Sequence, residues 1–107
     1  MPVFRLPGHL SIRDEAELQI RALRKQGVQP TLVRLSDKAS VQFAYEAGRK
    51  NGRVSNAPKL FPGSGCLCHI VYRDPTTHWV KVEGIPKQEF NKMLQEGKSV
   101  LWELYGI

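Results

Sequence analysis

No stretch of this sequence comes near the ~20 consecutive apolar residues that a helix needs to span a bilayer, so no membrane partner is expected. The first residues, Met1-Pro2-Val3-Phe4-Arg5-Leu6-Pro7, lack the basic segment and long apolar run that mark an export signal. Cysteine is scarce: Cys66 and Cys68 stand one residue apart and no others occur. A bridge between them would close a strained ring, which excludes a disulfide framework. These absences make a cytoplasmic protein the expectation. Also missing are a P-loop, a dinucleotide-binding glycine pattern and a nucleophile elbow. Gly63-Ser64-Gly65 is too short to cradle a phosphate, and nothing calls for a cofactor. Asp14, Glu15 and Glu17 read as capping and solubility charges, while Glu83, Glu89, Glu96 and Glu103 are scattered singly. No pair of carboxylates is placed for acid–base work.

What is present is enough for one domain, residues 1–107. The 107 residues are 41% hydrophobic, which supplies one core and leaves no room for a second. Sixteen Lys and Arg against ten Asp and Glu leave a net charge of +6. A field of that sign favours polyanions or an acidic protein surface.

Local signals order the chain. Val3–Leu6 reads as an edge strand or a stretched arm. Ser11 can cap a helix that starts at Ile12, has Asp14 and Glu15 in its first turn, and ends with Arg24, Lys25 and Gly27. Ile12, Ala16, Ile20 and Leu23 form its apolar stripe. Pro30 opens a strand over Thr31–Leu35. Ser36 or Asp37 caps a second helix reaching about Lys50, with Val41, Ala44, Tyr45 and Gly48 on one face. Residues 52–65 are rich in turn residues and predict a long loop, pinned at points by Val54 and Leu60-Phe61. Alternation then predicts a hairpin: Cys66–Arg73, a turn at Asp74-Pro75-Thr76-Thr77, and His78–Glu83. Pro86 starts a third helix with Phe90, Met93 and Leu94 buried, and Gly97 ends it. Ser99–Tyr105 alternates as a final strand, with a short helix as the other reading. The expected fold is α+β, in the order β-α-β-α-loop-β-β-α-β, with a mixed or antiparallel sheet and two to three helices on one face.

The local feature that stands out is a run without acids. Between Glu46 and Asp74 there is no carboxylate, while Arg49, Lys50, Arg53, Lys59 and Arg73 all fall inside it. Four of the five sit at a helix end or in a Gly- and Pro-rich loop spanning about 49–65, where they can reach a phosphate backbone. Polyanion binding needs several cations on one accessible surface, because each phosphate contact releases condensed counterions. Ser55, Asn56 and Ser64 add phosphate-positioning donors. This pattern predicts a non-catalytic binding module for nucleic acid or a ribonucleoprotein. The competing interpretation gives the same charges a helix-end and solvation role, leaving an adaptor or inhibitor that docks on an acidic protein through Tyr72 and Trp79. Of the two tryptophans, Trp79 is expected to be the more exposed, since it shares a strand face with Lys81 and Glu83.

Cys66, Cys68, His69 and His78 raise two further chemistries. Zinc would need four ligands, and cysteines one residue apart point to opposite faces of a strand, so no metal site is expected. A Cys–His pair, Cys66 or Cys68 with His78, would suit a small hydrolase. The run His78-Trp79-Val80-Lys81-Val82-Glu83-Gly84 resembles the strand that carries the catalytic histidine in papain-like cysteine peptidases. That resemblance implies a thiol nucleophile at a helix N-terminus, a place that neither Cys66 nor Cys68 occupies in the predicted order.

Overall fold

The computed structural model describes residues 10–48, 53–54, 57–63 and 66–106. The expected strand or arm at Val3–Leu6 lies outside the described residues, as do Arg49 and Lys50. Helix α1 (Ile12–Lys25) forms where its capping signals place it. Ser11 Oγ accepts the Asp14 N–H at 3.0 Å, acids fill the first turn, and Arg24 and Lys25 fill the last. Ile12, Ala16 and Ile20 are buried one helical turn apart. Helix α2 (Asp37–Glu46) is capped by Ser36, whose Oγ accepts the Ala39 N–H at 3.1 Å. The two helices are tied end to end. Glu46, at the close of α2, accepts the backbone N–H of Ile12 at 2.9 Å and of Arg13 at 3.3 Å, putting negative charge on the exposed amides of α1.

Between and after them run β1 (Val28–Leu35), β2 (Leu60–Gly63), β3 (Cys66–Val71) and β4 (Val80–Pro86), followed by α3 (Lys87–Gln95) and α4 (Val100–Tyr105). The strands make one mixed sheet in the order β2-β3-β1-β4. Strand β1 runs parallel to β3 and antiparallel to β4, and β2 runs antiparallel to β3. The architecture is thus α+β with a mixed sheet, while the detailed order departs from expectation in several ways.

The hairpin does not form, because β1 separates its two strands. Central β1 is buried on both faces, with Leu32, Val33 and Leu35 each almost wholly inaccessible, and such a strand takes a partner on each side. The turn at Asp74 does form, with Thr77 N–H donating to the Asp74 carbonyl. The segment crosses the end of β1, where Asp74 N–H donates to Leu35 and Ser36 N–H to Trp79. Strand β1 also starts earlier than Pro30. The proline sits inside it where the register shifts, opposite Gly84. A residue without an N–H is tolerated at such a bulge.

The expected loop 52–65 contains a strand, β2. Phe61 is 1% exposed and drives its own segment into the core. Helix α2 ends before Lys50, since Gly48 takes φ 78° and terminates it, and its buried face is Ala39, Ser40, Phe43 and Ala44, with Tyr45 exposed. Helix α3 buries none of its residues fully, and Leu94 is exposed. The last segment is a helix rather than a strand. Ser99 Oγ accepts the Trp102 N–H and Gly106 at φ 70° closes it. A local cap at each end outweighs alternation over six residues.

The main core joins Ile12, Ala16 and Ile20 of α1 and Ala39 and Phe43 of α2 to Val33, Leu35, Phe61, Cys68, Ile70 and Val82 of the sheet. The other sheet face follows from the pairing register. It carries Leu32 and Arg34 of β1, Glu83 and Lys81 of β4, His69, Leu67 and Val71 of β3, and Leu60 and Pro62 of β2. Helix α4 reaches this second face: the Tyr105 ring lies 5.9 Å from the Arg34 guanidinium, and its hydroxyl is 3.2 Å from Thr31 Oγ1. Helices therefore lie on both faces, not one.

Both sheet edges are blunted. At β4 the Gln19 carboxamide of α1 accepts the Val82 N–H at 2.8 Å and donates to the Val80 carbonyl at 2.9 Å, standing in for a neighbouring strand. At β2, Ile70 N–H donates to the Lys59 carbonyl, so Lys59 and then Phe61 make the ladder bonds while Leu60 and Pro62 turn their backbones outward. Pro62 has no N–H to offer an incoming strand.

Candidate functional site

Three of the five expected cations, Arg53, Lys59 and Arg73, are described, and the backbones of Lys59 and Arg73 lie near the end of β3. Ile70 N–H donates to the Lys59 carbonyl at 2.9 Å, aligning Lys59 beside β3. The Tyr72 hydroxyl donates to the Pro58 carbonyl, which fastens the same segment one step further on. Ala57 N–H then closes a turn onto the Val54 carbonyl at 3.0 Å. Arg73 follows Tyr72 directly. Arg53, Lys59 and Arg73 are all exposed.

Arg73 adopts φ 54°, a left-handed conformation that costs a non-glycine residue about 1 kcal/mol or more. Two contacts hold it there. Its N–H donates to Ser40 Oγ at 2.7 Å, and its Nε lies 3.4 Å from Asp37 Oδ1. The ion pair joins two well-exposed side chains, so water screens it and the arginine charge stays available to a ligand. Lys59 and Arg53 form no ion pair among the described residues.

The nearby acid, Asp74, is occupied. Its side chain is 6% exposed and accepts from the Thr76 N–H at 3.0 Å, the Thr76 hydroxyl at 2.8 Å, the Thr77 hydroxyl at 2.8 Å and Arg34 Nη1 at 3.0 Å. The Thr76 backbone donor, then the two hydroxyls and the guanidinium, hold its carboxyl far below the usual carboxylate range, against the opposing effect of burial. Arg34 meanwhile binds Glu83 Oε2 through Nε at 2.9 Å. Because the folded pKa of Asp74 is depressed, its stabilisation is complete above the unfolded value of about 4 and is lost as pH falls toward the folded one. Asp74→Asn should therefore flatten the acid side of the stability profile below about pH 4. Urea midpoints measured from pH 7 downward check this, and a variant whose midpoint falls as steeply as wild type refutes it.

The other expected site residues are dispersed. Tyr72 and Trp79 are half-buried against the main core, so neither ring stands out as an anchor. The exposure order of the tryptophans is the reverse of that expected. Trp102 is 65% exposed, because its helix turns it away while the start of β4 turns Trp79 inward. Cys68 is completely buried in the core. Cys66 lies at the start of β3, paired with Gly63. His78 is exposed in the connection before β4, and β1 stands between that strand and the one bearing the cysteines. The order places no thiol at a helix N-terminus. Among the described residues, no three His, Cys, Asp or Glu side chains cluster to hold a metal ion. No described helix is long and apolar enough to cross a membrane. A shallow depression of about 280 Å³ along α1 is lined by Leu10, Asp14, Glu17, Leu18 and Arg21. With two acids to one cation it does not extend the basic region.

Sequence reasoning missed the exposed leucines beside these cations. Leu60 and Leu67 are 49% and 65% exposed, and only knowledge of the uncovered face distinguishes them from core residues. Compared with known proteins, the chain matches no family model, no curated protein and no solved structure.

Proposed function

We propose that this domain is a non-catalytic binding module that contacts nucleic acid or a ribonucleoprotein through the basic end of its sheet. Arg53, Lys59 and Arg73 make the phosphate contacts, with Arg49 and Lys50 continuing the same acid-free run in the sequence. One observation supports this reading: the Lys59–Ile70 and Pro58–Tyr72 bonds bring the backbones of two exposed cations, Lys59 and Arg73, near one end of β3. Asp74, the acid that follows Arg73, is already bound by Arg34 and two threonines, so it opposes an incoming phosphate little. Docking on an acidic protein through Tyr72 and Trp79 has less to act with, since both rings pack on the core.

The test is salt-dependent binding. Wild type should bind a mixed-sequence oligonucleotide with an affinity that falls steeply with salt. The triple variant Arg53→Glu, Lys59→Glu, Arg73→Glu should reduce the slope of log affinity against log salt by about 2 units, the loss of roughly three contacts. An unchanged slope and affinity in that variant would remove the basic region from the interface.

A further inference from the structure

The contacts between α1 and β2 fix how the helix and the strand run past each other. A methyl group on Gly63 would meet the Ile20 side chain at 2.7 Å and Glu17 Oε2 at 2.8 Å. Two residues earlier in the strand, the partner is Arg13, whose guanidinium lies 5.3 Å from the centroid of the Phe61 ring. The start of α1 therefore points back along β2 toward Lys59. Lys59 continues the ladder, since its carbonyl accepts the Ile70 N–H. Being two residues from Phe61, it leaves the strand on the same, helix-bearing side, about 7 Å away. Helical side chains lean toward the N-terminus, so that of Arg13 leans toward the end where Lys59 lies.

Both cations are exposed, and neither forms an ion pair among the described residues. The acid in this corner, Glu46, is engaged with backbone. It accepts the Ile12 N–H at 2.9 Å, the Arg13 N–H at 3.3 Å and the Gln42 carboxamide at 3.2 Å. The amide dipoles at the start of α1 offset its charge. Glu17 is tucked against Gly63. Asp14 lies about 100° further round the helix from Arg13, where it lines the shallow depression with Leu18 and Arg21. A guanidinium laid over a ring is held in place, yet its donors remain around its edge for the paired bonds that a phosphate accepts.

We infer that Arg13 is a further phosphate contact, acting beside Lys59 at the corner where α1 and β2 begin. The ligand's backbone then crosses the helix-bearing side of the sheet. This inference rests on the nucleic-acid reading above and adds a residue from outside the acid-free run. Arg24 is the comparison, because it is exposed on the same helix but in its last turn, far from Lys59.

Fluorescence anisotropy with a labelled single-stranded oligonucleotide of mixed sequence, as RNA and as DNA, tests it across a salt series. Arg13→Gln should lower the slope of log affinity against log salt by about 0.7, one lost phosphate contact. Arg24→Gln removes the same charge and should leave the slope as in wild type. Thermal melts check that both variants fold. Labelling of arginines by a dicarbonyl reagent, read by mass spectrometry, needs no variant: saturating oligonucleotide should shield Arg13 and leave Arg24 reactive. An unchanged slope in folded Arg13→Gln, or an Arg13 that labels equally fast in the complex, overturns the inference. Equal losses from Arg13→Gln and Arg24→Gln overturn it too, since they report net charge alone. In each case the Arg53, Lys59, Arg73 variant still tests the basic-region reading separately. Failure of wild type to bind either oligonucleotide overturns both.

Discussion

Phe61→Ala is expected to lower the unfolding free energy by about 4 kcal/mol. That is a large share of the roughly 5–15 kcal/mol typical of a domain this size. Phe61 lies in a short edge strand, inside a stretch whose turn residues predict a loop, yet it is 1% exposed. Its ring centroid sits 6.2 Å from that of Phe43 on α2, and the Arg13 guanidinium of α1 lies 5.3 Å from it. Truncation would open a cavity where both helices meet the edge of the sheet, and neighbours in a close-packed interior fill such a void only in part. Urea denaturation gives the result directly, as a lowered midpoint with an unchanged slope. A loss below about 1 kcal/mol would mean that residues 57–63 behave as the predicted loop and lend the core little. The consequence reaches the proposed phosphate contacts, because Lys59 directly precedes the strand that Phe61 anchors.

Gly84→Ala should cost about 3 kcal/mol and lower the melting temperature by roughly 10–20 °C. The register of β1 shifts between Pro30 and Leu32, bringing the backbone of Gln29 against Gly84. A methyl group there would meet the Gln29 carbonyl oxygen and carbon, which are main chain and cannot swing aside, as well as a Val28 methyl. The effect comes from close approach alone. Gly97 makes a useful comparison: it needs φ 71° but has open space around it, so Gly97→Ala should cost only about 1 kcal/mol in backbone strain. Thermal melts of the two variants side by side distinguish these causes. A Gly84→Ala protein that melts within a few degrees of wild type would show that the bulge relaxes freely.

The placement of Lys59 and Arg73 and the exposure of Leu60 and Leu67 depend on contacts between residues far apart in the chain. Arg73 is near Lys59 because Ile70 and Tyr72 hold the 58–59 backbone, and its strained conformation is fixed from α2 through Ser40 and Asp37. Leu60 and Leu67 are exposed for a different reason. Helix α4 covers β1 through Tyr105, while β2 and β3 have no described helix over that face. Composition revealed the cations and the lack of acids among them. It could not reveal the exposure of Leu60 and Leu67, because a leucine that alternates in a strand has the same local pattern whether its face is covered or bare.

Signals within four or five residues were legible. Ser11 and Ser36 mark helix starts because a side-chain oxygen need only reach an amide two or three positions on. The stripe Ile12, Ala16, Ile20 reports a buried helical face, and the alternation in 66–71 correctly separates Cys68 and Ile70 from Leu67. Tertiary structure decided the strand order, the burial of Phe61 within a Gly- and Pro-rich run and the exposure of Trp102 over Trp79. Each turns on which distant segment lies alongside. Strand pairing and face coverage are set by the free energy of burying apolar surface across the whole fold, a term that no short window of sequence contains.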